Sequence, residues 1–300
     1  MKITKRLIPQ FIYVPLVKWK DYMKFEWLRR KILTYYGKNP PDTSDKGKID
    51  ALDFLKANRI TYFPYNFTLK YHPDNFEIFF DSEKQMYYVL YENQSRLYLK
   101  KKYTEKEARE YYHSIRIEQD VNSPHRYMSS DFYVSENDVV ADVGGAEGIF
   151  ALDSLHRNAS KAYIFEPDNE WLEPLKATFE PWKDRVEIIQ KFVSDRNDDK
   201  NISLDSFFSG KKLPDMVKLD VEGMERSVFA GAKKILDHSP QKIATCTYHR
   251  HNDDVEFPKM LADKGYKTFV SPNYMLTIDD NLRAPFFRRG LVFGIKTNEK

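Results

Sequence analysis

A glycine-rich turn in the second half of the chain is the first feature whose residues could bind a small molecule. The apolar run 139–143 has the pattern of a buried strand, and Gly144, Gly145 and Gly148 follow it. Because glycine has no Cβ, such a turn can bend sharply and lie close to a ligand. Glycine can also be needed there for packing alone. We predict that the three glycines contact a cofactor.

Two carboxylates flank this turn at positions that suit a nucleoside. Glu166 follows the next apolar run, residues 162–165, about 20 residues after the turn, where a carboxylate can accept hydrogen bonds from both hydroxyls of a ribose. Asp142 stands just before the turn. A carboxylate there would repel a pyrophosphate, but it can accept hydrogen bonds from an ammonium group. Each could instead be structural, Asp142 as a cap of the turn and Glu166 as a surface carboxylate before Pro167.

The spacing of the turn separates two classes of adenosine-containing cofactor. Counted from Gly144, the dinucleotide fingerprint would need glycine at the positions of Ala146 and Ile149. The fingerprint fails, so the pattern and the charge of Asp142 favour S-adenosylmethionine, which carries an ammonium group. Asp195, after the third apolar run, is a further candidate that could receive the adenine amino group, although carboxylates are common in such polar loops.

A lysine and an aspartate stand inside the fourth apolar run, residues 216–221. Buried charges are costly unless they are paired or used. Asp220 lies at the predicted carboxyl end of this strand, and Lys218, two residues earlier, points to the same side and could be its partner. A purely structural ion pair is the alternative. We predict that Asp220 faces the cofactor crevice.

Asp220, Glu222 and His249 are the candidates for acid–base chemistry. Transfer of a methyl group from S-adenosylmethionine to a protonated acceptor needs a base within hydrogen-bond reach and the exclusion of water. Strand ends place these three side chains nearest to the crevice. We predict His249 or Asp220 as the base and Glu222 as a residue that binds the acceptor or braces a loop; His249 could equally be a hydrogen-bonded core histidine. The spacing matches no dedicated metal motif, so no metal is predicted.

The elements that must position these residues follow from the pattern after residue 138. Short apolar runs that alternate with helix-length amphipathic segments are typical of βαβ units and of a parallel sheet covered on both faces. The last run has no helix after it and is expected to be an antiparallel addition. The predicted strands are residues 139–143, 162–165, 186–193, 216–221, 243–248, 267–270 and 290–295.

The first 120 residues have a different pattern. Three aromatic-rich runs separated by polar turns predict a small antiparallel sheet. Thr104 and Glu107 form a capping-box pattern that predicts a helix to about Glu118. The predicted organisation is an N-terminal α+β extension of residues 1–120 and a cofactor-binding α/β domain of residues 121–300. The three aromatic-rich runs are residues 76–80, 86–91 and 96–101.

The first 48 residues carry many more basic than acidic side chains. Together with Phe11, Trp19 and Trp27, this charge suits an anionic membrane surface; a solvated, partly helical extension is the alternative. Residues 7–17 are apolar but contain two prolines and precede no cleavage site, so neither export nor a membrane span is predicted. The predicted location is the cytoplasm, with contact to the inner face of the membrane as an open alternative.

Net charge and cysteine content limit the kinds of partner and of metal site that this chain can have. The formal net charge of the 300 residues is +3, which gives no reason to expect a nucleic-acid partner. The one cysteine, Cys246, cannot form an intramolecular disulfide or supply a multi-thiolate zinc site. The expected partner is a small molecule or a glycan, and the sequence does not predict an oligomeric state.

Residues 218–225 resemble the hallmark of the FkbM family of methyltransferases, which is a lysine, an apolar residue, then Asp, Val, Glu, Gly, Met or Ala, and Glu. The resemblance extends over roughly residues 118–295. The family often has Ala and Asn after the first glycine of the turn, where this chain has Gly145 and Ala146. Further matches are residues 142–148, residues 165–167, Gly231 with Ala232, and Gly265 with Tyr266.

The resemblance implies a class I, Rossmann-like fold with a seven-stranded, mostly parallel sheet, dependence on S-adenosylmethionine, and O-methylation of a sugar or polyketide. Residues 118–127 resemble a segment of family members linked to surface glycan synthesis. This segment could fold over the cofactor, with His125, Arg126, Tyr127 and Lys218 contacting the substrate, or it could be a plain polar connector. Two other functions stay open: a nicotinamide-dependent oxidoreductase, and a non-catalytic glycan-binding protein on a degenerate methyltransferase fold.

Overall fold

The computed structural model describes residues 10–92, 95–278 and 282–296. Its N-terminal part contains two helices, a small sheet and a third helix. These elements are α1 (Gln10–Lys38), α2 (Lys46–Ala57), β1 (Phe79–Asp81), β2 (Met86–Tyr91), β3 (Ser95–Tyr98) and α3 (Glu105–Glu118), with 3-10 turns at Asn66–Lys70 and Pro73–Asn75. The predicted antiparallel sheet is confirmed, in the order β1-β2-β3.

Local signals set the start and the orientation of α3. The Thr104 backbone N–H donates to the carboxylate of Glu107 at 2.8 Å, and the Glu107 N–H donates to the Thr104 hydroxyl at 3.3 Å, so the predicted capping box is confirmed. Ala108, Tyr112 and Ile115 are buried at helical spacing and define the inner face. This face holds α3 against the rest of the chain and brings its last residue to the main cavity.

The strands after residue 138 supply one large sheet and two short pairs. They are β4 (Val139–Val143), β5 (Lys161–Phe165), β6 (Val186–Ile189), β7 (Phe192–Val193), β8 (Asn201–Ile202), β9 (Met216–Leu219), β10 (Lys242–Cys246), β11 (Tyr266–Val270), β12 (Met275–Leu276), β13 (Phe287–Arg288) and β14 (Leu291–Lys296). The large sheet has seven strands in the order β11-β14-β10-β9-β4-β5-β6. Only β14 runs antiparallel to its neighbours in that sheet. The predicted mostly parallel sheet and its antiparallel addition are confirmed.

Helices cover both faces of the large sheet, because successive residues of a strand point to opposite sides. Ile164 of β5 packs in one apolar cluster with Leu175, whereas Leu219 of β9 packs in another with Phe257. The helices are α4 (Ile149–His156), α5 (Asn169–Thr178), α6 (Leu204–Phe207), α7 (Glu225–Ala230), α8 (Lys233–His238) and α9 (Asp253–Ala262), with a 3-10 turn at Glu180–Trp182.

The order of the strands creates a crevice beside β4. The chain runs from β4 to β5 and β6 on one side, and then crosses to β9 and β10 on the other side. These five strands are parallel, so their carboxyl ends share one edge of the sheet. In an open α/β sheet, ligands bind outside the carboxyl ends at the point where the strand order reverses. Here that point lies between β4 and β9.

The N-terminal helices pack against a late part of the chain. Ile32 of α1 and Leu55 of α2 share an apolar cluster with Leu276, Phe286 and Phe287. The Tyr65 hydroxyl also accepts a hydrogen bond of 2.8 Å from the Tyr274 N–H. Packing therefore crosses the boundary predicted at residue 120, and residues 274–278 and 282–287 join the N-terminal helices as a cap beside the large sheet.

One predicted strand is divided in the structure. The apolar run 186–193 forms β6 in the large sheet and β7 in a separate pair with β8, because the chain turns at Gln190 and Lys191. Among the described helices, none is both long enough and apolar enough to cross a bilayer.

Candidate cofactor and acceptor site

A cavity of about 1210 Å³ opens at the carboxyl ends of β4, β5 and β9. Its walls combine the turns after these strands with α3, the connector before β4, and parts of the N-terminal region and of β12. The residues discussed below that line it are Tyr62, Phe63, Tyr111, Glu118, His125, Tyr127, Gly144, Gly145, Glu147, Glu166, Trp171, Phe192, Lys218, Asp220, Glu222, Tyr248 and Thr277. The cavity is thus shared between the two predicted domains.

The turn after β4 requires its first two glycines. Gly144 has a φ of +79°, and a Cβ at this position would lie 1.8 Å from the backbone oxygen of Asp220. A Cβ on Gly145 would lie 2.4 Å from Cγ2 of Ile164. Both glycine N–H groups donate to the carbonyl of Phe165, at 2.9 and 3.1 Å. The turn is therefore held flat on the ends of the neighbouring strands, with its backbone against the cavity.

Gly148 lies away from the cavity wall, although it was predicted to contact the cofactor. It has a φ of +85° and stands before α4, where a Cβ would come within 2.7 Å of the Phe179 ring. The structure gives this glycine a packing role between α4 and α5.

Asp142 is fully buried, and it does not line the cavity. Lys218 Nζ lies 3.0 Å from Asp142 Oδ1 and also donates to the carbonyl of Gly144. Although burial lowers the pKa of Lys218, the carboxylates of Asp142 and Asp220 hold it above its ordinary value. The predicted Lys218–Asp220 pair is wrong, because the ion pair is with Asp142, and the predicted contact of Asp142 with an ammonium group is replaced by this pair.

Glu166 lies at the carboxyl end of β5 and lines the cavity. Its two oxygens accept hydrogen bonds of 2.8 Å from the N–H groups of Ala146 and Asp168. Burial raises the pKa of Glu166, while these backbone donors favour its charged form. A carboxylate oxygen has two lone pairs, so each oxygen keeps one for a ligand. The predicted position of Glu166 is thus compatible with ribose binding.

Asp195 lies outside the cavity wall, although Ser194 before it is part of the wall. The Ser227 hydroxyl donates to Asp195 at 2.7 Å, and this hydrogen bond lowers the pKa of the carboxyl group. Asp195 therefore links the loop after β7 to α7, and the structure does not bring it to the predicted adenine position.

Asp220 is the centre of a hydrogen-bond network at the end of β9. The hydroxyls of Tyr127 and Tyr248 donate to its two oxygens, at 2.7 and 3.2 Å. Nε2 of His125 and Nε2 of His249 lie 3.4 and 3.6 Å from the same oxygens. Burial raises the pKa of Asp220, but these imidazoles and Lys218 lower it well below its usual range. Asp220 is thus an ionised carboxylate that faces the cavity.

His249 stands behind Asp220 and does not line the cavity. Its Nδ1 lies 2.9 Å from Glu225 Oε1, and although burial lowers its pKa, Glu225 and Asp220 raise it above the ordinary value. Glu225 is almost fully buried and also accepts a hydrogen bond of 3.2 Å from the N–H of Val221. Sequence reasoning missed this positioning role; the only signal was the place of Glu225 at the end of the resemblance to the hallmark.

Of the remaining residues predicted to contact the substrate, some line the cavity and one does not. His125 and Tyr127 line the cavity, and so does the exposed Glu222 in a turn with a φ of +54°. Arg126 does not line it, because its guanidinium donates to the carbonyls of Met128, at 2.7 Å, and of Gln119. Arg126 therefore braces the connector before β4, and the predicted substrate contact is not formed.

Several cavity residues had no predicted role. Tyr248 follows β10 and carries no pattern that distinguishes it from a core tyrosine. Glu147 is 8% exposed, and the hydroxyl of Tyr111 donates to it at 2.7 Å. Burial raises the pKa of Glu147 to about 7 and also raises the pKa of Glu118. Trp171 provides an aromatic wall near Glu166.

Among the described residues, two groups of side chains have spacings that a metal ion could use. One is His125, Asp220 and Cys246, and the other is Asp220, Glu225 and His249, each with donor atoms within 4.8 Å of one another. In both groups the imidazole already lies within hydrogen-bond distance of a protein group, the Tyr248 hydroxyl or the Glu225 carboxylate. The expectation that no metal is needed stays a prediction.

A family model described as the methyltransferase FkbM domain matches residues 182–268. This part of the chain is similar to the FkbM methyltransferase domain. The match runs from the 3-10 turn before β6 into β11 and includes residues 218–225, so the family resemblance is confirmed there. No curated protein sequence matches the chain.

Solved structures of methyltransferases match with low identity. The FkbM methyltransferase from Methylobacillus flagellatus KT is 19% identical with a TM-score of 0.45, and the match covers 62% of this chain and 50% of that one. The chain thus matches about half the length of that protein. The precorrin-6y C5,15-methyltransferase from Geobacter metallireducens GS-15 is 12% identical (TM-score 0.39, 54% and 82% covered). A SAM-dependent O-methyltransferase from Thermotoga maritima is 18% identical (TM-score 0.37, 56% and 62% covered). The fold assignment rests on the strand order described above.

Proposed function

We propose that this chain transfers the methyl group of S-adenosylmethionine to a hydroxyl group of a sugar in a surface glycan or a glycan precursor. The observation that carries the proposal is that the residues expected to bind the cofactor and the acceptor line the same cavity. The Gly144–Gly145 turn, Glu166 and Asp220 stand at the ends of three adjacent parallel strands and line one cavity. This is the edge of an α/β sheet at which nucleoside cofactors bind.

The residues present fit the proposed cofactor. Glu166 has free lone pairs for the two ribose hydroxyls, and the glycine turn allows close approach of the methionine part. Trp171 and Phe192 are aromatic surfaces in the same wall that suit an adenine ring. The bound sulfonium would supply an activated methyl group. The positive charge of that group suits a cavity whose wall contains several carboxylates.

The side chains around Asp220 would orient the acceptor. Asp220 is ionised and faces the cavity, so it can accept a hydrogen bond from an acceptor hydroxyl and take up its proton as the methyl group is transferred. Tyr127 and Tyr248 hold the carboxylate from two sides. His249 is a positioning residue, because it reaches the cavity only through Asp220. Alignment of the hydroxyl with the methyl group is the main requirement for this displacement.

Residues outside the large sheet also line the cavity and would contact the acceptor. They include Tyr62, Phe63 and Thr277, and Tyr62 is 52% exposed. An exposed aromatic side chain suits the apolar face of a sugar ring. The sugar class itself rests on the resemblance of residues 118–127 to glycan-linked family members.

Calorimetric titration tests the cofactor. We expect S-adenosylhomocysteine to bind in the cavity and the nicotinamide dinucleotides not to bind. Tight binding of a dinucleotide alone would contradict the proposal. Glu166→Gln is expected to weaken S-adenosylhomocysteine binding, whereas Glu110→Gln, an exposed change on α3, is expected to leave it unchanged.

Mass spectrometry of glycan precursors tests the acceptor. Cells with an active copy should contain a precursor that is one methyl group heavier than in cells carrying the Asp220→Asn variant. If no such difference is found, the acceptor is not a glycan. If Asp220→Ala changes no measurable activity, a non-catalytic glycan-binding protein is the better explanation.

A further inference from the structure

Glu118 and Glu147 have no role in the site described so far. Glu118 ends α3, Glu147 lies in the turn after β4, and both line the cavity. Glu147 accepts a hydrogen bond from Tyr111. Within residues 10–92, 95–278 and 282–296, no hydrogen bond or ion pair to the carboxylate of Glu118 is found. Glu118 is partly buried in the cavity wall, so a ligand in the cavity can supply a donor to its carboxylate.

The two carboxylates lie close enough to influence each other. Burial is the main cause that raises the pKa of each, and the charge of Glu118 raises that of Glu147 further. The nearby lysines are already committed: Lys218 pairs with Asp142, and Lys100 pairs with Asp168. In the described part of the chain, neither carboxylate of the acidic pair, Glu118 and Glu147, forms an ion pair, although the charge of Lys218 acts on both.

We propose that the acidic pair binds the α-ammonium group of the amino acid moiety of S-adenosylmethionine. This inference rests on the proposed function. Glu166 marks the ribose end of the cavity, and Asp220 marks the acceptor end. Glu147 belongs to the turn after β4, the strand that lies between β5 with Glu166 and β9 with Asp220. Glu118 is close enough to Asp220 and His125 for their charges to affect its pKa. An ammonium group has three N–H donors, which two carboxylates can share.

Binding of two related ligands tests the acidic pair. S-Adenosylhomocysteine contains the amino acid moiety, whereas 5′-methylthioadenosine lacks it. We expect Glu118→Gln and Glu147→Gln to weaken S-adenosylhomocysteine binding by about 10- to 100-fold, the effect of losing a hydrogen bond between charged groups. Binding of 5′-methylthioadenosine should be unchanged, which also shows that the variants are folded. Glu110→Gln on the exposed face of α3 is the matched control.

Proton release provides a second measurement. A carboxyl group whose pKa is raised to about 7, as in Glu147, is partly protonated at neutral pH. A bound ammonium group lowers that pKa, so binding should release protons. Calorimetry in buffers of different ionisation enthalpy should detect this release with S-adenosylhomocysteine, and Glu147→Gln should reduce it.

Two outcomes would overturn the inference. One is that both glutamine variants bind S-adenosylhomocysteine as tightly as the wild type does. The other is that they lose both ligands equally. A wild-type protein that binds neither ligand would instead contradict the proposed function, and the subsite with it.

A separate surface lies near the middle of α1, within residues 22–31. Leu28, Ile32 and Tyr36 form the buried stripe of this helix. Earlier in the helix, large apolar side chains are exposed, and Trp27 is 61% exposed. Large apolar side chains that are exposed within one short segment can mark a surface that binds a partner. The α1 surface is defined by Tyr22, Met23, Phe25, Trp27 and Lys31.

Charge indicates the class of partner for the α1 surface. Lys31 Nζ lies 5.0 Å from the centroid of the Trp27 ring. The sequence before it carries Lys18, Lys20 and Lys24 among apolar and aromatic residues. Aromatic side chains with nearby lysines are typical of helices that lie on anionic bilayers. We infer that the α1 surface binds an anionic lipid bilayer without crossing it.

Sedimentation with vesicles tests the α1 surface. We expect binding to vesicles that contain phosphatidylglycerol, no binding to pure phosphatidylcholine vesicles, and weaker binding at high salt. The double variant Trp27→Ala with Lys31→Ala should reduce binding about tenfold. Leu69→Ala, at a residue 63% exposed in another segment, should have no effect. Equal binding to both vesicle types, no binding at all, or a dimer that the same double variant dissociates would each overturn this inference.

Discussion

The ends of β4 and β5 and the ends of β9 and β10 form two halves of one cavity wall, and they are built differently. In the first half the main chain dominates: Gly144 and Gly145 donate to the Phe165 carbonyl, and Glu166 accepts from backbone N–H groups. In the second half side chains dominate, because Asp220 accepts hydrogen bonds from the hydroxyls of Tyr127 and Tyr248.

This difference determines how each half responds to mutation. The first half, at the ends of β4 and β5, is called the backbone half; it leaves no space for an added atom, so a methyl group should disrupt it. The second half, at the ends of β9 and β10, is called the side-chain half; it is an electrostatic network, so a change of charge at constant shape should disrupt it. Variants of each type therefore measure whether the two halves act as described.

Gly144→Ala is expected to have the largest effect. The new Cβ would lie 1.8 Å from the Asp220 oxygen, which requires the ends of β4 and β9 to move apart. We expect a loss of unfolding free energy of about 4 kcal/mol or more and no measurable binding of S-adenosylhomocysteine. Chemical denaturation and calorimetry provide the two measurements.

Gly210→Ala is the matched control for the backbone half. Gly210 has a φ of +78°, nearly that of Gly144, but nothing lies within 4 Å of the position of its Cβ. The left-handed conformation alone should cost about 1–2 kcal/mol. Equal losses for both variants would mean that conformation, and not the contact with Asp220, accounts for the effect at Gly144.

The same contrast explains what the sequence could predict. The turn at Gly144 and the carboxylate of Glu166 follow successive strands, so strand periodicity and local spacing located both. The alternation of runs predicted the large sheet for the same reason. Side-chain partners are a tertiary property: the choice of Lys218 between Asp142 and Asp220 depends on how β9 lies against β4.

The missed residues have the same physical origin. Glu225 and Tyr248 act through residues on other elements, and nothing in their local sequence shows those contacts. Arg126 stands next to two cavity residues, but its side chain turns back to the connector. The cap is also non-local, since α1 lies near one end of the sequence and residues 274–278 and 282–287 lie near the other.

Asp220→Asn tests the side-chain half directly. The substitution keeps the shape but removes the charge that accepts hydrogen bonds from Tyr127 and an acceptor hydroxyl. We expect kcat to fall about 100- to 10,000-fold, the range for loss of a general base, with S-adenosylhomocysteine binding nearly unchanged. Asp199→Asn, in an exposed loop, is the control. A large loss of S-adenosylhomocysteine binding would show that Asp220 acts on the cofactor and not on the acceptor.

His249→Gln should have a smaller effect of a different kind. Burial raises the pKa of Asp220, but the charges of His125, Lys218 and His249 lower it by more than burial raises it. Removal of one imidazolium should therefore let that pKa rise. We expect kcat to fall about tenfold, or by about 1.4 kcal/mol, because the Asp220 carboxylate loses a group that positions it, and the acid limb of the pH profile to move to higher pH because the pKa of Asp220 rises. A fall in kcat without a shift of the acid limb would contradict the role of His249 as a charged positioning residue.

The charge of His249 should also affect how the free energy of unfolding depends on pH. The pKa of His249 in the folded chain is raised above its unfolded value, so its pair with Glu225 stabilises the fold fully below the ordinary histidine pKa. This contribution is lost as the pH rises through the folded-state pKa. The difference in unfolding free energy between the wild type and His249→Gln should therefore be larger at pH 5 than at pH 9 if the side-chain half is charged as described.

Tyr62→Ala is expected to have the smallest effect, because it changes a cavity residue that lies outside the large sheet. Tyr62 lines the cavity but lies outside both halves of the strand-end wall. Loss of one aromatic contact of about 0.5–1.5 kcal/mol should raise the KM for the acceptor about 2- to 10-fold and leave kcat and the affinity for S-adenosylhomocysteine unchanged. Phe80→Ala provides the control, since Phe80 is 51% exposed on β1 and does not line the cavity. A fall in kcat for Tyr62→Ala would mean that Tyr62 also aligns the reacting hydroxyl, so that alignment would not depend on the side-chain half alone.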